Sequence, residues 1–140
     1  MNPNIIVAFS NFIAIPFFIF SNQNILYLIP CLASFFYHLG SRKNGFPGIK
    51  PFRRYEQELL WIDRIIAVLS IIYVLSQIHR FTIAIYILGV IAVICCLISD
   101  GNVLYKLITG IQLDMSRNPY IIFHCIWHIS AFIILDRLLL

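Results

Sequence analysis

The chain has 140 residues, 61% of them hydrophobic and only 11% charged, with a mean hydropathy of +0.90 and a formal net charge of +4. Soluble domains carry about a quarter charged residues, so this balance excludes one and points to an integral membrane protein. Apolar runs of roughly 16 to 20 residues with short polar breaks fill the sequence, so residues 1–140 form a single transmembrane domain.

The first run, about Ile5 to Phe20, follows Met1-Asn2-Pro3-Asn4. That start has neither the basic residues nor the small-residue cleavage pattern of a secretory signal, and the run reads as a membrane helix. Pro16 inside it predicts a kink. The second run, about Ile25 to Leu39, is short for a hydrocarbon core of ~30 Å. Its last turns carry Ser34 and His38, four apart and therefore on one helix face.

Gly40 to Gln57 is a long polar loop broken by Gly and Pro and carrying five basic residues, Arg42, Lys43, Lys50, Arg53 and Arg54. The third run, about Glu58 to Ile78, places Asp63 near its start, at the same end as His38. The fourth, about Phe81 to Ile98, follows a tight turn at His79-Arg80, where His79 reads as an interfacial residue. Asp100-Gly101-Asn102 then breaks the chain. Over residues 103–113 an apolar stripe of Val103, Leu104, Leu107, Ile108 and Ile111 leaves Lys106 and Thr109 to one side. This piece is too short to span and predicts an amphipathic interfacial helix. Asp114 to Pro119 resembles a helix start, and the last run continues to about Leu138. The expected fold is all-α, with about five transmembrane helices plus one short interfacial helix.

Parity then orders the polar residues. If residues 103–113 do not cross, His38, Asp63, His124 and His128 share one membrane face. Arg42, Lys43, Lys50, Arg53, Arg54, Arg64, Lys106 and Arg117 fall on that face, against Arg80 and Arg137 on the other. The positive-inside rule makes it cytoplasmic, with the N-terminus inside and the C-terminus outside. The positive charge thus reports topology, and no nucleic acid partner is expected. Cys31, Cys95, Cys96 and Cys125 all lie in apolar runs without CxxC spacing, and read as small core residues.

The last run is the chemically informative one. His124 and His128 sit on one helix face about 6 Å apart along the axis, so both imidazoles can reach one point. With His38 they make three nitrogen ligands, the number a catalytic zinc takes while leaving a fourth position for water. Zinc lowers the pKa of that water toward ~7 and polarises a carbonyl, chemistry suited to amide or ester hydrolysis. Asp63 is then a general base or an orienting partner, and Ser34 an oxyanion donor. A Ser-His-Asp triad is disfavoured, because nothing like a nucleophile elbow surrounds Ser34. Taken singly, each histidine reads as a hydrogen-bonding contact between helices and Asp63 as an ion-pair partner of Arg64 or Arg117. The joint pattern at one depth favours a site, since an ionisable residue inside a membrane segment marks function by default.

Ser34-Phe35-Phe36-Tyr37-His38, Asp63 near the start of the next helix, and His124-Cys125-Ile126-Trp127-His128 resemble the three-motif signature of the CREST superfamily of membrane hydrolases. Trp127 before the second histidine looks more like the ceramidase and lipid-remodelling branches than the receptor branch. Tyr55 to Asp63 is similar to the approach to the aspartate in alkaline ceramidases. The resemblance implies an intramembrane zinc site held by three histidines, with Ser and Asp beside the metal-bound water, acting on a lipid amide. Five spans replace the family's seven, the His38 to Asp63 loop is longer, and the acidic N-terminal calcium-binding stretch of animal alkaline ceramidases has no counterpart. Loss of two spans keeps the motifs on one face, so the expectation is a reduced CREST-like bundle.

The expected function is therefore a zinc-dependent, ceramidase-like hydrolase of a lipid amide or ester, with ceramide-like lipids first and phospholipid or GPI-lipid remodelling second. The competing class is a lipid-binding receptor or structural membrane protein with a structural zinc. Fewer helices enclose the site less completely, which favours homo-oligomerisation or an opening toward lipid.

Overall fold

Helix is the only regular structure in the computed structural model, which describes residues 2–20, 25–42, 47–99 and 117–139. The helices among them are α1 (Pro3–Ser10), α2 (Ala14–Phe20), α3 (Ile25–Gly40), α4 (Glu56–Ser76), α5 (Ile83–Ser99) and α6 (Arg117–Leu139). All five apolar runs are helical. Pro3–Phe20, Phe52–Ser76 and Tyr120–Leu139 are long and apolar enough to cross a membrane, whereas Ile25–Gly40 and Ile83–Ser99 are shorter apolar helices. The interfacial helix expected over residues 103–113, and the start signal at Asp114, lie outside the described residues.

Local chemistry explains the element ends. Asn2 caps α1 by accepting from the Asn4 amide at 2.9 Å, and Pro3 occupies the first turn, where its missing N–H costs nothing. Between α1 and α2 the backbone tightens into a 3-10 turn at Asn11–Ile13. That turn includes the residue four before Pro16, whose carbonyl the proline cannot bond, so the expected distortion takes this form. A second proline, Pro30, removes another backbone donor inside α3. A 3-10 turn at Phe52–Tyr55 leads into α4, which therefore begins at Glu56, two residues before the sequence-based start. His79 is exposed in the 3-10 turn Ile78–Arg80 that joins α4 to α5.

Packing joins α1 to α3 and α6, α3 to α4, and α5 to α6. One core cluster, Ala14, Tyr27, Cys31, Phe132 and Leu135, closes α2 and α3 onto α6; a second, Ile85, Ala92, Ile134 and Leu138, seals α5 to α6. By contrast α4 has no buried residue, and Trp61, Ile65, Leu69 and Ile72 stand exposed along it. Such a long uncovered apolar face is what hydrocarbon rather than water accommodates.

Polar contacts pin the two ends of the bundle. At one, Asn4 Nδ2 donates to the Ser41 carbonyl at 2.7 Å, and Glu56 accepts from the Arg42 amide at 2.7 Å while pairing with its guanidinium. The start of α1, the end of α3 and the start of α4 thus come together there. Gly48 approaches the Gly40 backbone so closely that a Cβ on it would stand 1.9 Å from the Gly40 carbonyl oxygen. Ile49 N–H donates to the Leu39 carbonyl at 2.7 Å and ties the loop back on α3. At the other end, Arg80 donates to the Leu138 carbonyl at 2.6 Å, satisfying an acceptor in the last turn of α6.

Candidate metal centre

His38 sits in the last turn of α3, and His124 and His128 occupy successive turns of α6, as their spacing required. The tertiary structure brings the third histidine to the other two. Ring centroids of His38 and His124 are 4.5 Å apart, those of His38 and His128 5.4 Å, and those of His124 and His128 4.7 Å, all edge-on. The three side chains are 1%, 1% and 4% exposed. Each offers one ligand nitrogen, and these atoms all lie within 4.8 Å of one another.

Three nitrogens bound at about 2.0 to 2.1 Å to one tetrahedral ion are roughly 3.3 Å apart, so small side-chain rotations would bring this trio onto a metal. Neutral imidazoles suit borderline ions such as zinc, and the same donor set also suits copper, iron or nickel. Three imidazoles concentrated inside an apolar bundle are expensive to bury, and coordination of a shared cation is one arrangement that compensates them.

The cluster opens on a cavity of about 260 Å³ between α3, α4, α5 and α6. Ser34, His38, Asp63, His124 and His128 all line it, so the five residues singled out from the sequence meet at one cavity. Elsewhere its wall is mostly apolar, including Ala67, Ile71, Val93, Trp127 and Phe132, with Asn11 and Ser70 as its other polar members. Along α6 the lining extends from His124 to Leu135, about 16 Å at the helical rise. Gly89 contributes to the α5 wall, where a Cβ would meet nothing within 4 Å. Asp63 is half-buried in that wall, and Ser34 Oγ lies 3.2 Å from His128 Nε2.

Two residues join the site that sequence reasoning passed over. Ser10, at the end of α1, places its hydroxyl 2.7 Å from His128 Nδ1, so both ring nitrogens of His128 face serine oxygens. Asn11 lines the same cavity and donates to the Ala8 carbonyl at 3.2 Å. The available signal was weak, being a pair of polar residues in the middle of an apolar run. Of the cysteines expected in the core, Cys31 and Cys95 are buried while Cys96 and Cys125 are only partly so, and all four are free.

Comparison with protein-family models, with curated protein sequences and with solved structures yields no match to this chain.

Proposed function

We propose that this protein is an intramembrane metallohydrolase that cleaves an amide or ester bond in a lipid, with zinc held by His38, His124 and His128. One observation carries the reading: three buried histidines with convergent nitrogens stand at one end of an apolar cavity that Asp63 and Ser34 also line. When bound, such an ion supplies Lewis acidity and lowers the pKa of a coordinated water toward ~7. Three protein ligands leave a position open to substrate, whereas a purely structural zinc is closed by a fourth protein ligand. Together with the cavity, this favours an enzyme over a lipid receptor.

The chain's own residues then have distinct tasks. The Asp63 carboxylate accepts a proton from the attacking water and returns it to the leaving group. The Ser34 hydroxyl donates a hydrogen bond to the carbonyl oxygen as negative charge develops on it. The apolar wall from Ala67 to Phe132 excludes bulk water and holds hydrocarbon. At about 260 Å³ the cavity lies just below the ~300–1,000 Å³ usual for small-molecule sites, which suits one acyl chain with its scissile group better than a whole two-chain lipid. In either candidate class only the acyl chain with its scissile amide or ester need enter, and the motif resemblance ranks a ceramide-like lipid first and a phospholipid or GPI-lipid ester second.

The motifs that resemble the CREST superfamily supply the five lining residues, and a reduced, five-span form of that fold accounts for their position at one end of the bundle. With the basic loop at the same end, the site faces the cytoplasm and the C-terminus lies outside.

The test is metal analysis and lipid turnover on detergent-purified protein. One zinc per chain, lost in His124→Ala, with release of fatty acid from ceramide or an ester lipid, is the expected result. Wild-type protein that carries no stoichiometric metal after reconstitution overturns the reading.

A further inference from the structure

We infer that Ser10 is a positioning residue that selects the tautomer of His128, so that Nε2 is the nitrogen presented to a divalent metal; this rests on the metal-site reading above. The argument is a count of protons. A serine hydroxyl has one proton to give, whereas a backbone carbonyl has none. Ser10 Oγ lies 2.7 Å from the Val7 carbonyl oxygen, and that contact is a hydrogen bond only if Ser10 donates. Its second contact, at 2.7 Å to His128 Nδ1, is then one in which the ring must donate. A neutral imidazole has a single N–H, so with Nδ1 protonated Nε2 is the unprotonated nitrogen, the one whose lone pair can be given to a metal. That nitrogen faces Ser34 Oγ at 3.2 Å, and Ser34 lines the cavity together with His38 and His124.

The thiol of Cys125 also lies beside the Ser10 hydroxyl. It does not alter the outcome, because a Ser10 proton given to that weak acceptor still leaves His128 as the donor to Ser10. Serines in membrane helices commonly bond back to their own helix and do nothing further. Ser10 differs in that its remaining lone pairs meet an imidazole from another helix, on the nitrogen opposite the one that faces Ser34. Ligating histidines usually have that other nitrogen held by a neighbouring acceptor, and loss of such a partner typically costs about 10–100-fold in metal affinity.

Two measurements on the whole protein in detergent test this. In metal-free wild type, ¹⁵N NMR of labelled histidine should report His128 with a protonated Nδ1 and an unprotonated Nε2. Ser10→Ala should mix the two tautomers and weaken Zn²⁺ or Co²⁺ binding by about 10–100-fold, while Ser10→Thr, which keeps the hydroxyl, should restore most of the affinity. A wild-type His128 protonated on Nε2 overturns the inference without any variant having to fold. Full metal affinity in Ser10→Ala beside a metal-binding wild type overturns it alone, and a wild type that binds no metal overturns the site reading as well.

Discussion

The Ser10 hydroxyl and His128 Nδ1 meet at 2.7 Å although 118 positions separate them in the chain. The contact joins the end of α1 to the middle of α6, and the start of the same helix is tied to the end of α3 by the hydrogen bond from Asn4 to the Ser41 carbonyl. Ordering of the histidine cluster is therefore coupled to docking of the first helix. Asn4→Ala should accordingly weaken metal binding without touching a ligand, by loosening the helix that carries Ser10. Isothermal titration with Zn²⁺ against wild type checks this, and unchanged affinity would show that α1 docks independently of Asn4.

Asp63→Asn keeps the shape of the side chain and removes its capacity to take a proton. Under the proposed mechanism kcat falls by about 10²–10⁴-fold while bound zinc stays at one per chain. Loss of zinc from this variant would make Asp63 a ligand instead of a base. The same assay with metal content measured in parallel separates the two.

Ser34→Ala removes the hydroxyl that faces His128 Nε2. If that hydroxyl stabilises the oxyanion, kcat should drop by about 10²–10³-fold with KM little changed and metal retained. A rise in KM at constant kcat would instead mean that Ser34 serves substrate binding alone.

Gly48 and Gly89 should respond in opposite ways to a methyl group. A Cβ at Gly48 would stand 1.9 Å from the Gly40 oxygen, so Gly48→Ala must push the loop off α3. Overpacking of this kind costs about 1–3 kcal/mol, a fall of several degrees in Tm by thermal denaturation in detergent. At Gly89 the added methyl meets nothing within 4 Å, and Gly89→Ala should leave Tm unchanged or slightly raised.

Gly89→Leu probes the cavity rather than the fold. The larger side chain projects from the α5 wall into open space, where it should compete with substrate hydrocarbon. Turnover of long-acyl lipids should fall relative to short-acyl ones, with zinc content unaltered. An equal loss across chain lengths would indicate that the acyl chain does not run past α5.

The apolar runs, their helical state and the pairing of His124 with His128 were legible in the sequence, because each depends on residues within a turn or two of one another. Length and hydropathy make helices, and four-residue spacing puts two imidazoles on one face whatever the rest of the chain does. The start of α4 was less legible, since the 3-10 turn at Phe52–Tyr55 extends helical structure beyond the apolar run that signalled it. Only the tertiary structure brought His38 within 4.5 Å of His124 and made Ser34 and Asp63 walls of the same cavity. Only the tertiary structure found Ser10, because a lone serine in an apolar helix can satisfy its proton locally at Val7. Its remaining lone pairs acquire meaning when a distant helix sets an imidazole against them. Periodicity is a local property and survives in one dimension, whereas a hydrogen-bond partner from another helix is fixed by how the helices pack.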